Sequence, residues 1–393
     1  MKRLLFLFFF LCALPSVART VLLPPVYIWQ QWDSLTTAQS LDRDFAQHRY
    51  NGVIGVCYNA GFDVERIALA ARVAKRHGLE FQAWVPMMTQ QGCDSTWYTV
   101  NRLGQSAYDK PAYVPYYTTL DPHHPAVVRW LSEQCARVAS IPEVDAVQLD
   151  YIRYADVILA RGLWDKYGLV MHEEYAPADY CYCDDCVSDF RQRTGIDIRQ
   201  QTDPSKVKEW AQFRCDNVTR CVEAVAVAIR AKGKRVTADV FPGPMSHAIP
   251  MVRQEWHKWP CDEFFMMNYN DFYLQPPSWV GKVTAEGVEA CKAAGHPERI
   301  LKSGLFICRD WRNKAQLSDP EHWGLSPREL PQAIKASLDA GATSICLFSA
   351  ASMTPEHWAA LHRYMEHRYP GDWNRIYRPK AEKRPAHRTR RKR

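Results

Sequence analysis

The sequence lacks several features that would place it in common functional classes. After residues 1–18 it has no apolar run long enough to cross a bilayer, so no transmembrane segment is expected. No glycine-rich phosphate turn follows the first predicted strand, which argues against a doubly wound nucleotide-binding fold. No predicted strand carries the histidine and carboxylate ligands of an open catalytic metal site.

Residues 1–18 are predicted to be a signal peptide. Lys2 and Arg3 precede an apolar stretch over residues 4–14, and residues 16–18 (Ser-Val-Ala) form a small-x-small cleavage site. The apolar stretch is shorter than a membrane span. We therefore expect an exported protein, periplasmic or extracellular.

The formal net charge of +7 arises at the C-terminal end. Residues 380–393 hold eight Lys or Arg and one Glu, so the totals of 50 and 43 leave 42 basic and 42 acidic residues elsewhere. The body of the chain therefore gives no reason to expect a nucleic-acid partner. Residues 373–393 are predicted to be a basic, disordered tail. At most, this tail makes a weak contact with an anionic envelope surface.

Strand and helix patterns alternate along residues 22–372. Eight such repeats predict a single (β/α)8 TIM barrel, with an open doubly wound sheet as the alternative. Long loops are expected after strands 3 and 4, at residues 87–125 and 155–204, where function usually lies. The predicted strands are Val26–Gln30, Gly52–Tyr58, Glu80–Pro86, Ala146–Ile152, Arg235–Phe241, Glu263–Tyr269, Ile300–Ile307 and Thr343–Ser349.

Two strands end in a carboxylate that alternation directs into the barrel. Gln148 and Asp150 share one face of the fourth strand, and Thr237 and Asp239 share one face of the fifth. Neighbouring strands lie about 4.7–4.9 Å apart, so the two carboxylates can form the pair that hydrolyses a glycosidic bond. Either residue can instead cap a helix or hold a loop. Asp150 and Asp239 are the predicted catalytic residues.

Polar and aromatic side chains near other strand ends are candidates for sugar binding. Aromatic faces stack on sugar rings, although core packing is the alternative for each one. Arg153 can orient Asp150 or bind an acidic sugar, and Asp271 is a spare acid. The predicted substrate-binding residues are Trp29, Tyr58, Trp84, Tyr151, Arg153, Asn268, Tyr269 and Asp271.

A cysteine cluster follows the fourth strand. Cys181, Cys183 and Cys186 lie within six residues and can converge on one tetrahedral ion, with Cys93 or His172 as the fourth ligand. Disulfides are the alternative in an exported chain. We predict structural zinc and no organic cofactor.

Several short motifs resemble known families. VQLDYIRY (147–154), TADVF (237–241) and residues 262–269 resemble the glycosyl-hydrolase-10-like barrels, distant relatives of the alpha-amylase-type barrels. In alpha-amylase-type enzymes the fourth strand ends in the nucleophilic Asp, which corresponds to Asp150. Their fifth strand carries a Glu acid/base, where this chain has Asp239.

The cysteine segment carries a second resemblance. CYCDDCVSDF (181–190) is similar to the cluster of certain beta-galactosidase barrels, in which a CxCxxC segment and one earlier Cys bind structural zinc. This resemblance favours Cys93 as the fourth ligand. Those enzymes use Glu pairs on strands 4 and 7, whereas residues 301–306 contain no acid, so their catalytic pattern does not carry over.

The sequence thus predicts an exported glycoside hydrolase that acts on a poly- or oligosaccharide. A non-catalytic carbohydrate-binding barrel is the alternative. A radical enzyme with an iron–sulfur centre is disfavoured, because the cysteine spacing is CxCxxC and the cluster follows strand 4.

Overall fold

The chain forms a closed barrel of eight parallel strands in chain order, which confirms the predicted TIM barrel. The computed structural model describes residues 23–297 and 300–377. The strands are β1 Val26–Gln31, β2 Gly55–Asn59, β3 Glu80–Pro86, β4 Ala146–Asp150, β5 Arg235–Val240, β6 Glu263–Met267, β7 Leu301–Phe306 and β8 Ser344–Phe348.

Six of the eight predicted strands extend beyond the observed ones, and the second and fourth show the physical reason. The second begins at Gly55 because Gly52, with φ +82°, still belongs to the turn after a helix. The fourth ends at Asp150 because Tyr151 has φ +49°, a left-handed conformation that leaves the extended path.

Helices cover the outside of the barrel and begin and end at recognisable signals. Asp63 accepts hydrogen bonds from two backbone N–H groups of the first turn of one helix, and Thr354 precedes a proline at the start of another. The helices are α1 Ala38–Tyr50, α2 Val64–Arg76, α3 Pro125–Ala139, α4 Trp164–Tyr167, α5 Asp184–Thr194, α6 Lys208–Arg230, α7 Ile249–Val252, α8 Trp279–Ala293, α9 Leu330–Asp339, α10 Pro355–Arg368 and α11 Pro370–Tyr377.

The strands alternate between an apolar outer face and a mixed inner face. Val56, Val147 and Leu347 are examples of outward side chains packed in the core between strands and helices. One buried inward residue from each strand fills the middle of the barrel. These eight are Trp29, Cys57, Gln82, Gln148, Thr237, Phe265, Gly304 and Cys346.

Ion pairs close the end of the barrel where the strands begin. Arg235 pairs with Glu80 and with Glu263, the latter at 3.0 Å, and Lys302 lies 2.8 Å from Glu263. The Lys302 ammonium also lies 4.8 Å from the centre of the Tyr27 ring. These charges neutralise one another at the end of the barrel where the strands begin. We therefore expect a functional site at the opposite end.

The two long loops lie at that opposite end and contact each other. Residues 87–124 connect β3 to α3, and residues 151–207 connect β4 to α6 and contain α4 and α5. An antiparallel bridge between Asn101 and Tyr180 joins them. The loops therefore form one unit beside the ends of β3 and β4.

The C-terminal boundary of the barrel lies later than predicted. Trp373, placed in the tail by the sequence, is buried in α11 and contributes to the core cluster. Residues 378–393 and the predicted signal peptide lie outside the described part of the chain. Within the described ranges, no helix is both long and apolar enough to span a bilayer.

Candidate active site

A cavity of about 630 Å³ opens at the ends where the strands finish. Its volume falls in the range of small-molecule sites. From each strand, the residue two positions after the one that fills the barrel lies in the cavity wall. The eight are Gln31, Asn59, Trp84, Asp150, Asp239, Met267, Phe306 and Phe348.

Asp150 lies in the cavity wall with donors on both carboxylate oxygens. The Trp84 indole N–H donates to Oδ2 at 2.9 Å, and the Tyr151 backbone N–H donates to Oδ1 at 2.6 Å. The Arg153 guanidinium lies 3.6 Å from Oδ1. Burial raises the pKa of Asp150, while Arg153 and the two N–H donors oppose that rise. These groups stabilise the ionised form of Asp150.

Asp239 lies beside Asp150 in a different environment. It is almost fully buried, and neither carboxylate oxygen has a hydrogen-bond partner within standard geometry among the described residues. Burial and the nearby Asp150 raise the pKa of Asp239 well above its ordinary value, against a smaller lowering by the adjacent Trp29 indole. The pKa values of both acids are raised, that of Asp239 more strongly, so Asp239 is the one of the pair that more readily holds a proton.

A third acid of the cavity, Asp156, is linked to Arg153 through Tyr117. The Tyr117 hydroxyl donates to Asp156 Oδ2 at 2.6 Å and accepts from Arg153 Nη2 at 3.5 Å. Burial alone would lower the pKa of Arg153, but Tyr117, Asp156 and Asp150 raise it above its ordinary value. Arg153 thus lies between two carboxylates.

Aromatic rings make up much of the remaining wall. Tyr269 packs against Phe306 and Phe348, with ring centroids 5.3 and 5.5 Å away. At the rim, Lys166 of the β4 loop pairs with Glu321 of the β7 loop at 2.6 Å. The aromatic members are Trp29, Trp84, Tyr113, Tyr116, Tyr117, Tyr151, Tyr167, Phe241, Tyr269, Phe272, Tyr273, Phe306 and Phe348.

Seven predicted site residues line this cavity, and three do not. Tyr58 points outward and packs between Phe45 and Phe81, because the inward position of β2 belongs to Cys57. The prediction of Tyr58 as a sugar-binding residue is wrong. The seven that line the cavity are Trp29, Trp84, Asp150, Tyr151, Arg153, Asp239 and Tyr269.

Asn268 and Asp271 are the other two predicted residues that lie outside the cavity wall. Asn268 is buried and its amide donates to the Ser303 hydroxyl at 2.8 Å. Asp271 accepts from the Gly324 N–H at 2.8 Å and pairs with Lys314 at 3.2 Å. Asn268 joins the end of β6 to β7, and Asp271 joins the loops after β6 and β7, which corrects their assignment to substrate binding.

The cysteine cluster gathers around a carboxylate. Asp121 Oδ2 lies 3.2 Å from the sulfurs of Cys181 and Cys183 and 3.5 Å from that of Cys186. The four ligand atoms all lie within 4.8 Å of one another, so the group could hold a metal ion. Its fourth member is Asp121, and the prediction of Cys93 is corrected.

Cys93 does not belong to this group of ligand atoms. It is half-buried, and its backbone N–H donates to the Tyr98 hydroxyl at 3.2 Å. The twelve cysteines of the described residues are all free thiols, so the disulfide alternative is not observed.

Backbone N–H groups donate hydrogen bonds to the ligand atoms of the cluster and so orient them. The Cys186 N–H donates to Cys183 Sγ at 3.4 Å, and the Val100 N–H donates to Cys181 Sγ at 3.4 Å. The His123 N–H donates to the other oxygen of Asp121 at 2.9 Å. A tetrahedral ion with metal–sulfur bonds of about 2.3 Å separates its sulfurs by about 3.8 Å. The donor set fits such an ion.

The fold resembles that of solved glycosidase barrels. The catalytic domain of beta-amylase from Paenibacillus polymyxa is 10% identical, with a TM-score of 0.59 over 88% of this chain and 98% of its own. The glycoside hydrolase domain of PgaB (BpsB) from Bordetella bronchiseptica is 14% identical, with a TM-score of 0.59 over 88% and 97%. No family model matches the chain, and no curated protein matches it. At these identities the likeness shows the fold.

Two acids of the candidate sites, Asp121 and Asp156, are not indicated by any sequence pattern. Asp156 follows Asp150 by six residues in an irregular loop, where no periodicity indicates its direction. Asp121 is separated from Cys181 by 60 positions and belongs to no local motif. The only signal for either was its place in one of the two long loops.

Proposed function

We propose that this chain is a glycoside hydrolase whose catalytic pair is Asp150 and Asp239. The observation that carries the proposal is the contrast between two adjacent buried carboxyl groups in one cavity. Asp150 is surrounded by donors, whereas Asp239 has none in standard geometry within the described ranges. Pairs of acids whose environments separate their pKa values perform acid and base roles in such reactions.

In the proposed reaction, Asp239 donates its proton to the glycosidic oxygen as the bond from that oxygen to the anomeric carbon breaks. Asp150 stabilises or attacks the anomeric carbon as positive charge develops there. Water then gives a proton back to Asp239 and adds to the anomeric carbon, which releases the sugar and restores both acids. Register pairs Leu149 with Ala238, so the following residues occupy neighbouring positions on β4 and β5. Adjacent strands lie about 4.7–4.9 Å apart, nearer the ~5–5.5 Å of retaining enzymes than the ~6.5–9.5 Å of inverting ones. We therefore propose retention of anomeric configuration.

The aromatic wall and the two solved neighbours support a carbohydrate substrate. Thirteen of the lining residues carry aromatic rings, which can stack on sugar faces. One neighbour is named as an amylase domain and the other as a glycoside hydrolase domain. No step in the proposed reaction requires an organic cofactor.

The decisive experiment screens the purified protein on polysaccharides and aryl glycosides for new reducing ends. We expect Asp150→Asn and Asp239→Asn each to lose about 100-fold or more of the turnover. Asp109→Asn is the matched control, because Asp109 is exposed and lies outside the cavity wall. Full turnover in Asp150→Asn would refute the assignment.

Saturable glycan binding without new reducing ends would instead support a carbohydrate-binding barrel. For an active substrate, proton NMR of the first product anomer reports the stereochemistry. Initial release of the inverted anomer would refute the retaining geometry.

We further propose that Asp121 and the three cysteines hold a structural zinc ion. Thiolates with one carboxylate form a closed tetrahedral set that leaves no position for substrate. The ion would fix the loop after β4. Tyr154, next to Arg153 in the chain, is buried close to this group. Burial is the largest cause that raises the pKa of Tyr154, and Asp121 and two of the cysteines raise it further.

We also propose export, which rests on the sequence of residues 1–18. N-terminal sequencing of protein recovered outside the cytoplasm should find a mature chain that begins just after Ala18. Recovery of the uncleaved chain in the cytoplasm alone would refute this proposal.

A further inference from the structure

The cavity has an unequal set of charges. Four carboxyl side chains line it, and Arg153 is the single Lys, Arg or His among the lining residues that the structure describes. Asp150, Asp156 and Asp239 lie deep in the wall, while Glu321 lies at the rim beside Lys166. An anionic ligand would therefore depend on Arg153 for its counter-charge.

The charge of Arg153 is already compensated on two sides. Its Nη1 atom lies 3.6 Å from Asp150, and its Nη2 atom reaches Asp156 through the Tyr117 hydroxyl. Rings cover its faces, with the Tyr151 and Phe241 centroids 4.5 and 4.9 Å from the guanidinium carbon. Little positive potential remains to attract an anion.

Arg153 nevertheless keeps donors for a ligand. Its side chain is more than nine-tenths buried, and neither Nε nor Nη1 has a hydrogen-bond partner among the described residues. A buried donor without a partner costs about 1–3 kcal/mol, so an acceptor supplied by a ligand is favoured there. Hydroxyl or amide oxygens of a sugar satisfy this need without adding charge.

We infer that the cavity selects uncharged glycans, and that Asp156 sets this selectivity by cancelling the charge of Arg153. Arg153 donates hydrogen bonds to a neutral sugar oxygen, and the carboxylates of Asp150 and Asp156 repel uronate and sulfate groups. This inference rests on the proposed function, since it names the substrate class of the same site. It also assigns Asp156 as a specificity-determining residue.

The test compares ligands that differ only in charge. Oligosaccharides rich in glucuronate, galacturonate or mannuronate are paired with their carboxyl-reduced forms, and binding to the full-length mature protein is measured by calorimetry. We expect each neutral member that binds to bind about tenfold or more tightly than its anionic partner, because like charges repel strongly where little water screens them. This comparison needs no variant.

Asp156→Asn should lower the ratio of neutral to anionic binding affinity by about tenfold, because the positive charge of Arg153 is then no longer cancelled. The amide oxygen of the introduced side chain can still accept the hydrogen bond from Tyr117. Glu321→Gln is the matched control: it also removes one negative charge from the lining, but at the exposed rim. Equal shifts in the two variants would overturn the role of Asp156. Thermal unfolding of both variants shows whether the fold is kept.

Three outcomes distinguish this inference from the proposed function. Preference of the wild type for the anionic partners overturns the inference and leaves hydrolysis intact. Charge selectivity without new reducing ends supports the inference and contradicts the hydrolase reaction. Failure of every pair to bind overturns both, because the cavity would then not be a glycan site.

Discussion

Gly304 offers a test of how tightly the barrel interior holds the candidate active site. A Cβ atom at Gly304 would lie 2.5 Å from Cη2 of Trp29 and 3.0 Å from the Met266 carbonyl oxygen. Trp29 lines the cavity, and its indole lies beside Asp239. Gly304→Ala therefore displaces a residue of the cavity wall without changing any charged group.

The size of the effect follows from these contacts. Non-bonded carbon atoms lie about 3.5–4.0 Å apart, so the Trp29 ring must move by about 1 Å or more away from the added atom. Overpacking of this kind costs about 1–3 kcal/mol of unfolding free energy. A displacement of about 1 Å at a reacting group can lower turnover about 100-fold. We expect both losses in Gly304→Ala.

Gly55→Ala separates the two losses. Its Cβ atom would lie 2.4 Å from the Tyr27 ring, a similar clash inside the barrel, but Tyr27 lies outside the cavity wall. Chemical denaturation should show comparable destabilisation of both variants. Glycan binding and turnover per folded molecule should fall only in Gly304→Ala, and Trp29→Phe should partly restore them in the double variant. Normal activity of Gly304→Ala with an unmoved Trp29 in its crystal structure would refute this reasoning.

Three further predictions test other parts of the structure. Burial raises the folded-state pKa of Asp239, so its contribution to stability is complete below the unfolded-state pKa of about 3.9 and is lost as the pH rises through the folded-state pKa. The stability of Asp239→Asn relative to the wild type should therefore increase in thermal melts from about pH 4 to about pH 8. A difference in stability that stays constant over this range would contradict this. Elemental analysis should find about one zinc per chain, lost in Asp121→Ala and kept in Cys93→Ser; equal loss in both would restore Cys93 as a ligand. Lys302→Met should cost about 3 kcal/mol in denaturant unfolding by leaving Glu263 less compensated, and an unchanged midpoint would contradict the role of this buried pair.

The sequence was sufficient for the fold and for the two central carboxylates because alternation is readable there. Toward the ends of β4 and β5 the outward positions are apolar and the inward positions are polar, so the direction of Asp150 and Asp239 follows from residue type alone. Such alternation is imposed by the two environments of a barrel strand. The direction of these side chains can therefore be predicted without any knowledge of the loops.

The same reasoning failed where both faces of a strand carry similar residues. In β2 the pair Cys57 and Tyr58 offers two apolar side chains, and the larger aromatic one was taken for the cavity. The barrel interior is crowded by Trp29 and Phe265, so the smaller sulfhydryl points inward and the ring packs against the helices. Volume decided the direction of the side chain, and volume depends on neighbours distant in sequence.

The loop residues of the candidate site could not be predicted, because their positions also depend on contacts between residues distant in sequence. The strands fix Asp150 and Asp239, but Arg153 and Asp156 follow the left-handed turn at Tyr151 and lie in irregular chain. The segment after them is anchored by buried pairs, Asp179 with Arg214 and Glu174 with Arg253, and by the Asp121–cysteine group. Each anchor joins residues from different loops or helices, so no local pattern records it. If the reaction belongs to the strands and sugar selection to the loop, loss of the metal ligands should raise KM more than it lowers kcat.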